Sequence, residues 1–341
     1  MPQTRWILAL ADDLTGALEV GAKFAGHGLY AVVTTETSIP SPPESAVLVI
    51  DTETRHLPPS DATASVHNVL QSALRFPPWL VYKKTDSTLR GNIAAELNAL
   101  LDLMPERPLV YAPAYPDMGR TVQNGSLFID GIPAHQTAFA RDPLNPVQDS
   151  SIRALLAGVP ARVLDGLSNS DLAAAASEIL ARDPPAIAAG PAALAEALAE
   201  RLCPLPRGRP NWPLARRFLV VNGSLHPAAA AQIAFARSQG WFENEWSCFD
   251  ADTGGEGVDR ALRTGECVRR LLESASVDGL IIFGGDTAFG IHRALGSPRL
   301  EPYGEVVQGV PVSRCGDLLW VTKAGGFGAP DILRTIRQNL I

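Results

Sequence analysis

The sequence has no paired cysteines. Cys203, Cys248, Cys267 and Cys315 are scattered over 341 residues, which excludes a disulfide or zinc framework and points to free thiols in a reducing, cytoplasmic setting. The six histidines form no HExxH or comparable pair, so a histidine-built metal site is not expected. No apolar run approaches the roughly 18 residues that cross a bilayer. The N-terminal WILALA meets Asp12 and Asp13 too soon to form a signal-peptide core. No GxxxxGK[ST] occurs, and no GxGxxG follows the first strand pattern, which counts against a Walker-type site and a dinucleotide dehydrogenase. A net charge of −7 disfavours non-specific nucleic-acid binding. Lysine is scarce as well, with only four against 25 arginines. Two of the four stand side by side in YKKTDSTLRGN, residues 82–92, where both charge signs and several hydroxyls crowd into one turn.

What is present reads as a globular α/β protein of two domains, the default for this length. Short β-rich runs at 6–11, 30–35, 46–51, 80–84 and 109–112 alternate with helical patterns at 14–26, 60–75 and 92–103. Such alternation implies right-handed βαβ units and a mainly parallel sheet flanked by helices. The pattern resumes over 162–202 and then meets CPLPRGRPNWPLAR, whose four prolines suit a linker. The expected division is therefore a domain over 1–203, a Pro-rich linker over 204–216 and a second domain over 217–341. The second series runs through 218–224, a helix over 226–238, 279–285, a helix near 287–295, 318–326 and a terminal helix.

Ligands of open parallel sheets bind beyond the carboxyl ends of the strands, so the loops that follow the strands carry the information. In the first half these read ADDLTGA, DTETRH, TDSTLRGN and PAYPDMGR, bringing Asp12, Asp13, Thr15, Arg55, Lys84, Asp86, Ser87, Arg90 and Arg120 to one edge. In the second half they read NGS, GGDTAFG and KAGGFG. Small residues let backbone approach a ligand closely, and a helix start such as that at Thr287 favours an anion.

Each feature has a plainer explanation. Asp12 or Asp13 caps the helix that begins near Leu14. Lys83 and Lys84 end an exposed edge strand. Arg90 pairs with Asp86 at the surface to little effect, and Gly284 and Gly285 ease a tight turn. His226 is a cap or a surface residue as readily as a ligand. The coincidence of several polar loops on one predicted sheet edge favours a polar cleft.

At these loops the sequence resembles the four-carbon acid sugar kinases, which phosphorylate threonate-, erythronate- or oxo-tetronate-type acids with ATP. The resemblance rests on ADDLTGA (11–17), DTETRH (51–56), KKTDSTLRGN (83–92), PAYPDMGR (113–120) and GIPAHQTAFARDPLNPV (131–147). It continues through VNGSLHPAAAAQI (221–233), GGDTAFG (284–290) and TKAGGFG (322–328). It implies an N-terminal domain for the sugar acid, a C-terminal domain for the nucleotide, and reaction in an inter-domain cleft. The matching substrate positions are Asp12, Arg55, Lys84, Asp86, Ser87 and Arg90. Those for nucleotide are Ser224, Gly284, Gly285, Asp286, Thr287 and Gly325. The chain departs from the family at Asn222 (NGS for SGS), at Asp286 (GGDT for GGET), at KAGGFG for KSGNFG, and at Gln136, where glutamate is usual. Its second domain is short for the family.

Phosphoryl transfer asks for positioning and charge neutralisation. Arg55, Lys84 and Arg90 suit a carboxylate clamp. Asp12, with Asp13 next, is the candidate acceptor of the attacking hydroxyl's proton. Asp286 is the candidate ligand of Mg²⁺, the metal that accompanies ATP. The expected partners are a small sugar acid and ATP, with no nucleic acid and no membrane; a homo-oligomer is left open. The rival reading is a non-catalytic sugar-acid sensor with a degenerate nucleotide domain.

Overall fold

The computed structural model describes residues 5–340 apart from 42, 143, 205–211, 244, 252–253 and 255–256. The chain divides into two compact units, Met1–Pro206 and Arg207–Ile341. Most of the expected Pro-rich linker, 205–211, lies outside the described residues.

The first unit begins β1(Ile7–Ala11), α1(Leu14–Gly26), β2(Ala31–Thr34), β3(Val47–Asp51), α2(Pro59–Ala73), β4(Leu80–Lys84), α3(Ile93–Leu103) and β5(Leu109–Tyr111). A small antiparallel sheet follows, of β6(Arg120–Gln123), β7(Ser126–Ile129) and β8(Ile132–Pro133), and then a short α4(Ile152–Leu155). β9(Ala161–Val163), α5(Asn169–Leu180), β10(Ile187–Gly190) and α6(Ala192–Leu202) complete it. The main sheet is parallel throughout, in the order β2-β3-β1-β4-β10-β5-β9. β1 and β4 are buried along their whole length, as apolar runs in a doubly covered parallel sheet must be. α2 and α3 pack together on one face, while α1 and α5 pack on α6 on the other. The direction in which strands are added across the sheet reverses between β1 and β4, the topological switch point at which such sheets bind ligands.

The second unit comprises β11(Phe218–Asn222), α7(Pro227–Ser238), β12(Trp246–Asp250), α8(Gly257–Ser274), β13(Gly279–Phe283) and α9(Gly285–Ala294). A hairpin of β14(Glu301–Val307) and β15(Val310–Cys315) leads to β16(Leu318–Lys323) and α10(Ile332–Leu340). The order is β12-β11-β13-β16-β15-β14, parallel over the first four strands and antiparallel at β15 and β14. Its core gathers Phe218, Trp246, Ile281, Phe283, Val321 and Leu333. Pro227 opens α7 at a position where its missing N–H costs nothing, and the His226 ring caps that helix by accepting from the Ala228 N–H at 3.2 Å. α8 and α9 cross at two glycines. A Cβ on Gly265 would stand 2.1 Å from the Gly290 carbonyl oxygen, and one on Gly290 would stand 2.0 Å from that of Ala261.

The expected strands and helices lie where their patterns put them, within a residue or two, except that β16 stops at Lys323, three residues short of the expected 318–326. β12, α8, the β14–β15 hairpin and the β6–β8 sheet were not foreseen. Arg120 accordingly starts an antiparallel strand instead of sitting in a strand-end loop. The reading of β4 as an exposed edge fails, because β4 pairs with β1 on one side and β10 on the other.

Candidate functional site

In the first unit the loops after β1, β3 and β4 bring six charged side chains together at the switch point. Arg55 is the hub. Its Nε and Nη2 donate to the two carboxylate oxygens of Asp12 at 2.8 and 2.9 Å, and Nη1 donates to Asp13 Oδ2 at 2.7 Å. The other Asp13 oxygen accepts from the Gly16 N–H at 2.9 Å, so Asp13 is the helix cap and Asp12 is not. Asp86 organises the turn after β4, accepting from the Thr88 N–H at 3.0 Å and from the Thr88 hydroxyl. Arg90 grips Asp86 with Nε and Nη2 at 3.0 and 2.9 Å and reaches Asp142 Oδ2 with Nη1 at 3.0 Å. The Phe139 ring lies 5.4 Å from that guanidinium. Asp86 is buried, so this is no idle surface pair.

The two lysines of β4 part company, as successive strand residues do. Lys83 is fully buried, with Nζ 3.1 Å from Glu96 Oε2 on α3; Glu96 Oε1 accepts in turn from the Thr54 hydroxyl at 2.5 Å. Lys84 turns to the opposite face, where a Cβ on Gly16 would stand 2.7 Å from its Nζ. Among the described residues its ammonium has no ion-pair partner within 4.0 Å. Gly91, at φ +86°, brings backbone against Asp12 and Arg55; a Cβ there would stand 3.2 Å from Asp12 Oδ2.

Burial alone would raise the Asp12 carboxyl, but Arg55, helped by Lys83 and Lys84, holds it below its ordinary value. Asp86 is likewise buried and is held well below the usual carboxylate range by Arg90 and Arg55. The neighbouring pair behaves in the opposite way. Asp51 is pushed well above its ordinary value by burial and by Glu53. Glu53 is raised to about 7 by burial, with Asp13 adding to the rise. Glu53 also sits at φ +48° and accepts from the Leu14 N–H at 3.2 Å, a second carboxylate on the start of α1.

The second unit builds its site from backbone. The loops after β11, β13 and β16 meet so closely that a Cβ on Gly223 would stand 2.1 Å from Thr287 Oγ1, and one on Gly325 would stand 2.0 Å from Ser224 Oγ. Gly284, at φ +103°, is the N-cap of α9, and Gly285, Asp286 and Thr287 form its first turn. Those first-turn N–H groups have no partner within the helix, and the helix dipole adds to their pull on an anion. Thr287 is buried, while Asp286 is exposed. A nucleotide phosphate chain fits this surface of small residues and N–H groups. One exposed carboxylate beside it suits Mg²⁺, which keeps much of its water and shares phosphate oxygens. Among the described residues, the grouping with metal-ligand spacing is His27, Glu196 and Glu200 in the first unit, and Lys23 already neutralises Glu196 at 3.0 Å.

The sequence-derived substrate positions therefore lie together at the ends of β1, β3 and β4 and in the loops that follow them, with Ser87 beside Asp86; the nucleotide positions lie in the loops after β11, β13 and β16 and in the first turn of α9. Asn222 ends β11 and donates to Asp250 at 3.1 Å, and Gln136 is exposed against His135. Sequence reasoning missed Glu96, Glu53, Asp51, Phe139, Asp142 and Lys323 as parts of these sites. Asp51, Glu53, Phe139, Asp142 and Lys323 lay within the motifs DTETRH, GIPAHQTAFARDPLNPV and TKAGGFG; Glu96 in a helix first turn gave no signal beyond that of a surface residue.

A family model described as "Sugar-binding N-terminal domain" matches residues 7–162, and one described as "Nucleotide-binding C-terminal domain" matches residues 243–333. The chain is 29% identical to a D-threonate kinase of Bordetella bronchiseptica, over 98% of this chain and 97% of that protein. That alignment runs over 401 positions, so this 341-residue chain is gapped against it. The chain is 35% identical to a D-erythronate kinase of Heliobacterium modesticaldum over 44% of this chain and 35% of that one. Among solved structures, one from Salmonella typhimurium LT2 superposes with a TM-score of 0.82 over 97% of this chain and 98% of that chain, at 21% identity, a likeness of fold. Another, from Bordetella bronchiseptica, was solved as a domain-swapped dimer with bound citrate; it is 29% identical, covers 98% of each chain and has a TM-score of 0.54. With both domain models matched in order and similarity to D-threonate kinases running the length of the chain, this protein is similar from end to end to the four-carbon acid sugar kinases.

Proposed function

We propose that this chain transfers the γ-phosphoryl group of ATP, with Mg²⁺, to the terminal hydroxyl of a four-carbon sugar acid of the threonate, erythronate or 3-oxo-tetronate type. The observation that carries this reading is the ammonium of Lys84, buried and without an ion-pair partner among the described residues, amid a hydrogen-bonded charge cluster, in a chain whose full-length relatives are D-threonate kinases. Arg55 and Arg90 each spend three of five N–H groups on aspartates, which fixes their planes and leaves two donors apiece. Lys84 takes the carboxylate of the acid, with Arg90 beside it, while Asp86 and Ser87 meet its hydroxyls. Asp12 accepts the proton of the attacking hydroxyl. A carboxylate held this low is a weak base, which suits a loose transition state in which little proton transfer has occurred.

In the second unit, Ser224, Gly284, Gly285, Thr287 and Gly325 seat the phosphates. Asp286 holds Mg²⁺, whose charge offsets that of the phosphate oxygens. The sensor reading has no support among the relatives, which are kinases. Four free cysteines and no described helix able to cross a membrane accord with a cytoplasmic setting. A homo-oligomer accords with the dimeric relative. The test is ADP release across a panel of four-carbon sugar acids, with and without Mg²⁺. Release that depends on both acid and Mg²⁺ is expected; folded protein that releases none with any acid refutes the reading.

A further inference from the structure

Lys323 ends β16 with its side chain in the core, only 1% exposed. Its ammonium donates to the carbonyls of Ala324 and Phe327 at 2.7 Å each and lies 3.4 Å from that of Gly325. The Phe283 ring lies 4.6 Å away. Three carbonyls use all three donors of an ammonium. No described carboxylate pairs with it, and burial pushes its pKa down to about 8. A buried, unpaired charge is expensive, and packing alone would be served by an apolar side chain.

What the charge does follows from peptide geometry. In a trans peptide the C=O of one residue and the N–H of the next point in opposite directions. The carbonyls of Ala324 and Gly325 turn onto Nζ, so the N–H groups of Gly325 and Gly326 turn away from it, and among the described residues neither has a partner. Gln232 holds the far side of the loop through the carbonyls of Phe327 and Gly328 at 3.0 and 2.8 Å, and Gly325 presses on Ser224. Successive N–H groups turned outward form an anion seat.

We propose that Lys323 is a positioning residue for the nucleotide: its ammonium gathers the 324–328 loop inward so that the Gly325 and Gly326 N–H groups meet a phosphate. This rests on the nucleotide reading of the second unit. Lys323→Met keeps the length and loses the donors. It is expected to raise the KM for ATP about tenfold, the loss of roughly one charge-assisted hydrogen bond, with the KM for the acid unchanged and Lys323→Arg recovering part of the loss. In the unaltered protein the KM for ATP should climb as pH rises through about 8, because a neutral amine has two donors and turns a lone pair on the third carbonyl. His226, whose ring packs on Gly326, is a second titratable group against this loop, and His226→Asn should keep the profile.

Gly325→Val, which drives a side chain into Ser224, separates the possible failures. If it weakens ATP binding while Lys323→Met does not, the positioning role falls and the nucleotide site stands. If neither variant weakens ATP binding, the nucleotide reading itself falls. Should Lys323→Met fail to fold, an ATP KM that stays flat from neutral to alkaline pH overturns the proposal.

Discussion

In the proposed function the two units meet the same demand, an anionic ligand at a sheet edge, by opposite means. The first uses full charges: Arg55, Arg90 and Lys84 interleaved with Asp12, Asp13 and Asp86, each arginine held in a fork of hydrogen bonds. The second uses backbone: glycines pressed onto Ser224 and Thr287, a helix start, and one lysine turned inward onto carbonyls. Charged forks fix a direction for each donor, which suits a small ligand with hydroxyls and a carboxylate in set positions. Backbone N–H groups follow the shape of a chain and donate to any phosphate that lies along it. The contrast teaches that a charged site must first hold its own charges, and only the remainder is left for a ligand.

The largest expected effect tests that division. Lys83→Met strips the partner from the buried Glu96 and should cost about 3–5 kcal/mol of stability in denaturant unfolding, with the double variant Lys83→Met, Glu96→Gln recovering most of it. A single variant as stable as the parent would mean that Lys83 is not part of the frame. Lys84→Met should do the converse. Sugar-acid affinity should fall about ten- to a hundredfold, the worth of roughly one charge-assisted hydrogen bond, with little change in melting temperature. Calorimetry in which Lys84→Met binds the acid normally would move the carboxylate to the arginines and blur the comparison.

The smallest effect concerns pH. Glu53 has a folded pKa of about 7, above its ordinary 4.5, so the native state binds the extra proton. Its contribution is fully present below pH 4.5 and is lost as pH rises through about 7. Asp12 and Asp86 are held low and act in the opposite sense, their contribution fading only as pH falls below the ordinary carboxylate range. Melting curves between these limits should therefore slope gently downward towards neutrality, and Glu53→Gln should flatten the slope. An unchanged slope would place the proton elsewhere.

Much of this was legible because parallel strands announce their own ends. An apolar run stops, a polar cluster follows, and topology sets those clusters side by side. Arg90 and Asp86 could be paired from spacing alone. The partnership of Lys83 and Glu96 could not, because it crosses from a strand to a helix and each residue has an ordinary surface role in its own element. α8 escaped because its buried positions, Ala261, Thr264, Gly265 and Val268, are small or polar and draw no apolar stripe, while Val258 and Leu262 on it are exposed. β12 escaped as an edge strand with only Trp246 fully buried, and the β14–β15 hairpin carries no helix to mark it off. Lys323 was hidden by its company: among glycines it reads as a loop end, and only the fold turns it inward.

The glycine crossing of α8 and α9 has a mechanical consequence. With Gly265 and Gly290 each against the other helix's carbonyls, the two backbones touch and no side chain lies between them to act as a bearing. A helix seated in this way can neither roll nor slide without breaking that contact, so the stiffness of α8 is lent to the first turn of α9. An incoming negative charge then meets dipoles that are already aimed, and little reorganisation energy remains to be supplied when it arrives.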